Sequence, residues 1–529
     1  MLFTSWTFVI YASVSVLLYY ILPKKLQPKI LLVSSIIFYA YAGVEYLLFL
    51  FATIITVFIA TNKIEDLKET QKANLSNFSD KAQKKEYKAK IHLKQKKWFL
   101  SCLILNFGIL AVVKYTDFVI SNINVVVNTV SEGSSLPLLN IILPMGISFY
   151  TFQSMSYLID VFWGKQKAER NFFNYALFAS FFPQMIQGPI SRYSDLSKTM
   201  FSVHKFEQNN FYSACVRVLY GYFKKMIIAD RLIPVIALLV ANPDQYQGIY
   251  VIAVMFLYAI CLYADFTGGI DITIGVAKMF GIDLVENFNK PFLSVSIAEY
   301  WRKWHITMGT WFRDYIFYPL SVSKKMLKFT TKSRKVFGGN LGKRIPVYVS
   351  TMILWFLTGL WHGAAWNFIV WGMVNGLVIL ISQELSPLYA KFHKKFPKAK
   401  TSKSYFAFSV FRTFWLMNII RVFDCYANVP LTFKMFGSIF TNLSINEFLT
   451  QGLAGLGVSS VSYIAALYGT IFLLFVGYIT RKSEKFEDIA KRQNYITKTA
   501  IVFFLVFSII IFGAYGIGFD SSQFIYNQF

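Results

Sequence analysis

Histidine occurs five times in 529 residues, cysteine four times, and the 27 acidic residues are outnumbered by 53 lysines and arginines. Charged residues of either sign make up 15% of the chain, against about a quarter in an ordinary soluble protein. Each shortage excludes something. Cys102, Cys215, Cys261 and Cys425 are scattered among apolar runs without a CxxC spacing, so neither a disulfide framework nor a zinc ribbon is expected. No HExxH, no metal-spaced His/Asp set and no Walker-type glycine loop occurs, which removes the common metalloprotease and nucleotide-hydrolase signatures. Alternating polarity in units of about ten residues, the mark of a transmembrane barrel, is absent as well.

Long apolar runs are abundant. "WTFVIYASVSVLLYYIL" (6–22), "IYVIAVMFLYAICLYADF" (249–266), "IPVYVSTMILWFLTGLW" (345–361), "IAALYGTIFLLFVGYI" (464–479) and "AIVFFLVFSIIIFGAYGIG" (500–518) each approach the ~20 residues that a helix needs to cross a bilayer. The fold class is therefore an all-α polytopic membrane protein, one domain over 1–529, with roughly 11–13 membrane helices by the length criterion. The net charge of +26 does not indicate nucleic acid, because lysine and arginine cluster between apolar runs. That is the distribution of cytoplasmic loops under the positive-inside rule.

Five basic stretches fix a topology: 23–29, 61–97, 323–344, 391–403 and 481–498. The run 61–97 holds 11 lysines against five acids, and 323–344 holds eight basic residues and no acid. With all five inside, 61–97 is a cytoplasmic basic loop and 424–460 an extracellular loop. The N-terminus and a C-terminal tail, 519–529, lie outside. Residues 30–60 form a hairpin broken near Gly43. Residues 345–382 leave the cytoplasm and return, with "WHGAAW" at their turn. The segment "FFPQMIQGPISRYSDL" (181–196) is too short and too rich in proline and glycine for a clean span. It reads as a broken or re-entrant piece, which is tolerated only inside protein or along a wet cavity.

Against that apolar background, ionisable residues stand out. His362 sits in the "WHGAAW" turn between Trp361 and Gly363 and points to function. His92, His204 and His393 lie in polar, lysine-rich surroundings and read as structural. "VENFNKPFLSVSIAEYWRKWHITMGTWFRDYIFYPL" (285–320) packs Glu286, Glu299, Arg302, Lys303, His305, Arg313 and Asp314 among aromatics. Trp301, Trp304, Met308, Trp311, Phe312 and Tyr315 recur at helical spacing, which predicts one helix with an aromatic face. Two readings of the block stand. It is an interfacial helix with snorkelling bases, or a cationic entrance for an anionic ligand.

Five blocks carry a resemblance: "PMGISFYTFQSMSYLIDVFWG" (144–164), "FPQMIQGPISRY" (182–193), "GYFKKMIIADRL" (221–232), the 279–320 block and "LTGLWHGAAWNFIVWG" (357–372). Together they resemble the membrane-bound O-acyltransferase (MBOAT) family, in the bacterial branch of alginate and peptidoglycan O-acetyltransferase membrane subunits. The branch pattern D-F-S-G-Y-S-D appears here as "DFTGGID", keeping Asp265 and Asp271, and Gln187 precedes the Gly-Pro pair.

The resemblance implies a bundle with opposed cytoplasmic and extracellular funnels that meet near His362, in a bacterial cell membrane. It implies no bound cofactor or metal, with acetyl-CoA as the cytoplasmic acyl donor. It also implies a polysaccharide acceptor and an extracytoplasmic, serine-dependent, esterase-like partner. His362 would be the general base and His305 the family's second histidine. Arg302, Lys303 and Arg313 would face the donor phosphates, and Asn367 would supply an oxyanion donor. Tyr526, in a Phe-Ile-Tyr-containing terminus, would be an acyl relay if it is more than an interfacial anchor. D-alanyl transfer to teichoic acid, non-enzymatic transport, and acyl transfer to lipids or secreted proteins are the alternatives.

Overall fold

The computed structural model describes residues 1–130, 135–480 and 484–515. Among these residues helices follow one another with no strand between them. Where the sequence reads as one domain, the chain divides into two compact units. One is Met1–Phe211 with Val276–Val285; the other is Tyr212–Gly275 with Glu286–Phe529.

Eight helices among the described residues are long and apolar enough to cross a membrane. The larger number expected from hydropathy includes apolar stretches that form shorter helices: Trp6–Ile21 has 16 residues, Gln27–Ala40 has 14 and Phe172–Ser180 has nine. The Ser460–Ile479 helix shows why a membrane suits the fold. Leu467, Ile471, Leu474 and Tyr478 lie along one exposed stripe, and Ser462, Ala465, Ala466 and Gly469 are buried on the other side. Small residues inward and large apolar residues outward is the arrangement of a helix packed closely in lipid.

In the first unit, Gly43 adopts φ 155° and separates Gln27–Ala40 from Leu47–Asn74, which places the break where the hairpin was expected. The basic run 61–97 is not a loop. Leu47–Asn74 carries its first part and Lys81–Val130, 50 residues long, its second. The two ends pair through Asn74, whose amide donates to the Tyr87 hydroxyl at 3.2 Å, and through Gln71, which donates to the Lys88 carbonyl at 3.3 Å. Lysine, glutamate and glutamine are good helix formers, so a polar sequence outside the membrane keeps its helix. The 181–196 segment is broken as expected. A four-residue helix, Phe182–Met185, precedes non-helical backbone, and residues 181–191 are all buried in protein.

In the second unit, Gly221 and Gly268 let two helices touch. A Cβ on Gly268 would lie 2.9 Å from the Gly221 carbonyl oxygen, and one on Gly221 would lie 2.7 Å from that of Gly268. The close approach brings "GYFKKMIIADRL" against "DFTGGID". Arg217 then meets Asp271 at 2.6 Å, Glu286 at 2.8 Å and Glu487 at 2.7 Å. Lys224 also pairs with Asp271, and Lys485 holds Glu286 at 2.8 Å. Lys225 bridges Asp265 and Asp230 at 2.6 and 2.8 Å. The two aspartates kept from the family pattern are thus held by lysine and arginine.

Residues 424–460, read as a loop, contain the helices Val429–Thr441 and Ile445–Gln451. They are tied to the start of Ile249–Met279: Gly248 N–H donates to Ser438 Oγ at 2.9 Å and Ile249 N–H to the Leu443 carbonyl at 3.0 Å.

Lys324–His362 kinks at Gly338, then runs to a turn and returns as Trp366–Glu384. The hairpin is tight because it is built on glycine. A Cβ on Gly359 would lie 2.3 Å from the Phe368 carbonyl oxygen, and one on Gly372 would lie 2.3 Å from that of Trp355. Gly372→Ala is accordingly expected to splay the hairpin and cost about 1–3 kcal/mol, read as a lower unfolding temperature in detergent. An unchanged temperature would mean that the helices part without cost.

Candidate active site

The turn "WHGAAW" ends one helix on His362 and starts the next on Trp366. Only Gly363–Ala365 lie between, with Gly363 in extended backbone. The imidazole of His362 is half-buried. It meets Trp361 and Trp371 edge to face, with centroids 5.0 and 4.7 Å away. His362 faces a cavity of about 20 Å³ whose other walls are Tyr258, Leu262, Phe266, Trp304, Phe368, Trp371, Arg421 and Asp424. That is room for roughly one water molecule.

His305 is fully buried. It does not lie on a continuous helix: Ile297–Lys303 and Ile306–Phe312 are separate, and His305 between them has φ 46°. The aromatic spacing from Trp301 to Tyr315 therefore spans a break and then a π-helical turn, Arg313–Phe317. The break is pinned from 18 residues upstream. The Asn287 side-chain oxygen accepts from the Thr307 N–H at 3.0 Å and the Thr307 hydroxyl at 2.9 Å, and meets His305 Nδ1 at 3.2 Å. The Asn287 carbonyl takes the Ile306 N–H at 2.9 Å. An acceptor at Nδ1 puts the His305 proton there and leaves Nε2 as the acceptor nitrogen, an assignment that follows from the hydrogen-bond partners.

The two histidines are brought together. Trp361 stands between them, 5.9 Å from the His305 ring and 5.0 Å from the His362 ring. Phe266 meets His305 edge to face at 4.9 Å and also lines the His362 cavity.

The other expected site residues are placed differently. Asn367 is buried, and its amide donates to the carbonyls of Phe423 at 3.3 Å and Tyr426 at 2.6 Å. Its donors hold the 423–426 segment, so its structural task is to fix that wall. Lys303 pairs with Glu299 at 2.7 Å and Arg313 with Asp314 at 2.9 Å. Arg302 and Arg313 are exposed. Tyr526 lies outside the described residues. Among the described residues no cluster of three His, Cys, Asp or Glu is arranged to hold a metal ion. His204 has a structural bond, with Tyr19 Oη 2.8 Å from its Nδ1.

Arg421, Asp424, Tyr258 and Asn287 were not singled out by sequence reasoning. Arg421 and Asp424 close an apolar span with a three-residue spacing, which reads as an ordinary helix end. The only available signal was a second pair of opposite charges at the edge of an apolar run.

Comparison with known proteins decides the family. The model described as MBOAT, membrane-bound O-acyltransferase family, matches residues 45–429. The chain belongs to this family. It is 32% identical to a probable alginate O-acetylase AlgI of Azotobacter vinelandii over 70% of this chain and 66% of that protein. It is 30% identical to a peptidoglycan O-acetyltransferase of Helicobacter pylori over 70% and 68%. A teichoic acid D-alanyltransferase of Bacillus subtilis is 26% identical over 49% of this chain and 62% of its own length. In this membrane-bound O-acyltransferase, every described wall of the His362 cavity except Arg421 and Asp424 is apolar or aromatic. Such a wall lowers the local dielectric and strengthens the interactions of any charge placed inside it.

Proposed function

We propose that the protein is a transmembrane O-acetyltransferase. It takes acetyl groups from acetyl-CoA on the cytoplasmic face and delivers them across the cell membrane, where a polysaccharide of the envelope or exterior is O-acetylated. The observation that carries this reading is His362, set at the helix turn in a small cavity with His305 across one indole ring. The alginate and peptidoglycan acetylases among the relatives support it.

The physical logic is that coenzyme A carries several phosphate charges and cannot enter hydrocarbon, so only the acetyl group has to cross. A neutral imidazole at His362 removes the acceptor hydroxyl proton as that oxygen attacks the thioester carbonyl. His305, with Nδ1 engaged by Asn287, orients the aromatic wall from the other side. The basic residues Arg302, Lys303 and Arg313 meet the phosphates of the donor. In this reading Tyr526 takes the acetyl group first as a phenyl ester. A phenol of pKa near 10 and a thiol near 8.5 differ little as leaving groups, so the ester remains active for transfer. An extracytoplasmic, serine-dependent, esterase-like partner then passes it to the polymer.

The test compares donors. Purified protein in liposomes is incubated with labelled acetyl-CoA, and in parallel with a D-alanyl-charged carrier protein. CoA release and a mass increase of one acetyl group on the C-terminal peptide are expected. Transfer from the D-alanyl carrier alone would instead make the chain a D-alanyltransferase.

A further inference from the structure

The cavity at His362 has one ionic wall, and nothing derived above gives it a task. Arg421 ends the Lys403–Arg421 helix and is 4% exposed. Its guanidinium lies 4.3 Å from the Trp304 ring centroid. One amino group donates to the Tyr300 hydroxyl at 2.8 Å, and the other faces the Asp424 carboxylate at 3.5 Å. A guanidinium carries five N–H groups, and Tyr300 and Asp424 take one each. The ion pair is long and not bidentate, so the cation is oriented by its neighbours without being used up by them. Trp371, on the same cavity wall, carries a buried indole N–H that meets no acceptor among the described residues.

A buried cation and an indole donor on the wall that holds the general base have an obvious electrostatic use. We propose that Arg421 is a catalytic residue whose guanidinium, with the Trp371 N–H, receives the oxyanion formed when an acyl group is transferred at His362. The inference rests on the acyl-transfer reading above. In the step, the acceptor O–H bond breaks and its proton goes to the His362 imidazole while the oxygen bonds to the thioester carbonyl carbon. The carbonyl π pair moves onto oxygen and is met by Arg421. Collapse restores the C=O bond and breaks the C–S bond, and the departing thiolate takes the proton from the imidazolium. Asn367, the donor expected from sequence, has its amide directed at the 423 and 426 carbonyls and instead fixes the segment that carries Asp424. Asp424 holds the guanidinium in place and is a positioning residue.

A structural role for Arg421 would be to neutralise Asp424, and the two roles separate in a double variant. Arg421→Gln alone leaves a buried carboxylate without its cation; Arg421→Gln with Asp424→Asn removes both charges. The assay is CoA release from labelled acetyl-CoA by purified protein in liposomes, on preparations matched for gel-filtration profile and thermal unfolding. The expected result is a fall in kcat of about 10²–10³ in the double variant, with the donor KM unchanged. A folded double variant with the wild-type kcat would overturn the proposal and leave Arg421 as the counter-ion of Asp424. Should the double variant not fold, Arg421→Lys decides, because it keeps the charge beside Asp424. A Lys variant with the wild-type unfolding temperature but a reduced kcat at unchanged donor KM supports the proposal, and one with the wild-type kcat overturns it. Wild-type protein that releases no CoA would reject the donor and not this inference. The same variants are then read by the alkali-labile acyl ester content of the cell envelope.

Discussion

His362→Gln abolishes acyl transfer while membrane insertion and folding persist: this is the expected result with the largest effect. Glutamine approximates the size and hydrogen bonding of imidazole but cannot accept a proton near neutral pH. General-base catalysis contributes about 10²–10⁴ in rate, so ester formation should fall by that factor, with a smaller change in donor KM. The substitution is mild for the fold. His362 is the last residue of its helix and half-buried, and its neighbours Trp361 and Trp371 pack against other aromatics as well. The measurement is acetyl ester formation in membranes containing equal amounts of the two proteins. Activity within a fewfold of wild type would remove the general-base role from His362.

Arg217→Met is expected to be the most destabilising single change. Its guanidinium touches Asp271, Glu286 and Glu487, and its side chain is 8% exposed. Deleting it leaves three carboxylates gathered round one site with Lys224 and Lys485 at its edge. Removing one partner of a buried ionic group costs about 3–5 kcal/mol, because the remaining charge cannot regain its hydration. The check is thermal unfolding in detergent, where the variant should lose many degrees or fail to accumulate. Glu487→Gln added to Arg217→Met should recover part of the loss by relieving one of the stranded charges. A single variant as stable as wild type would mean that water reaches the cluster.

The same cluster gives a pH dependence. Glu286 lies in the segment after the Ile249–Met279 helix. Burial alone would raise its carboxyl, but Arg217 and Lys485 outweigh burial and hold it at about 2. An unfolded glutamate titrates near 4.3. The folded value is the lower one, so the stabilisation is complete above the unfolded value and is lost as pH falls towards the folded one.

The hairpin at His362 was legible because its two helices are apolar runs that end on a short turn, and hydropathy alone finds such a turn. Gly43 and the broken 181–196 segment were legible for a similar reason, since glycine and proline act locally. The extension of helices through 61–97 was missed because charge marks the membrane boundary, not the helix end. His305 was assigned to a continuous helix because aromatic spacing runs unchanged across the break. Its positive φ is enforced by Asn287, a tertiary partner that spacing cannot reveal. Arg421 and Asp424 were passed over for the same kind of reason. As a charged pair at a span end they resemble any other helix terminus, and only folding brings them to His362. The network of Arg217 likewise joins residues from 217 to 487, a span in which each charge by itself looks like an isolated cost.

Sidedness tests the central claim most directly. Sealed inverted membrane vesicles expose the cytoplasmic face, so labelled acetyl-CoA added outside them reaches only that face. Alkali-labile acetyl ester is then measured in the lumen after the external donor has been removed. With wild-type protein the label is expected in the lumen as ester, and with His362→Gln it is expected to be absent. Luminal ester at equal levels in the variant, or label that appears only when acetyl-CoA is sealed inside the vesicles, would contradict transfer from the cytoplasm through His362.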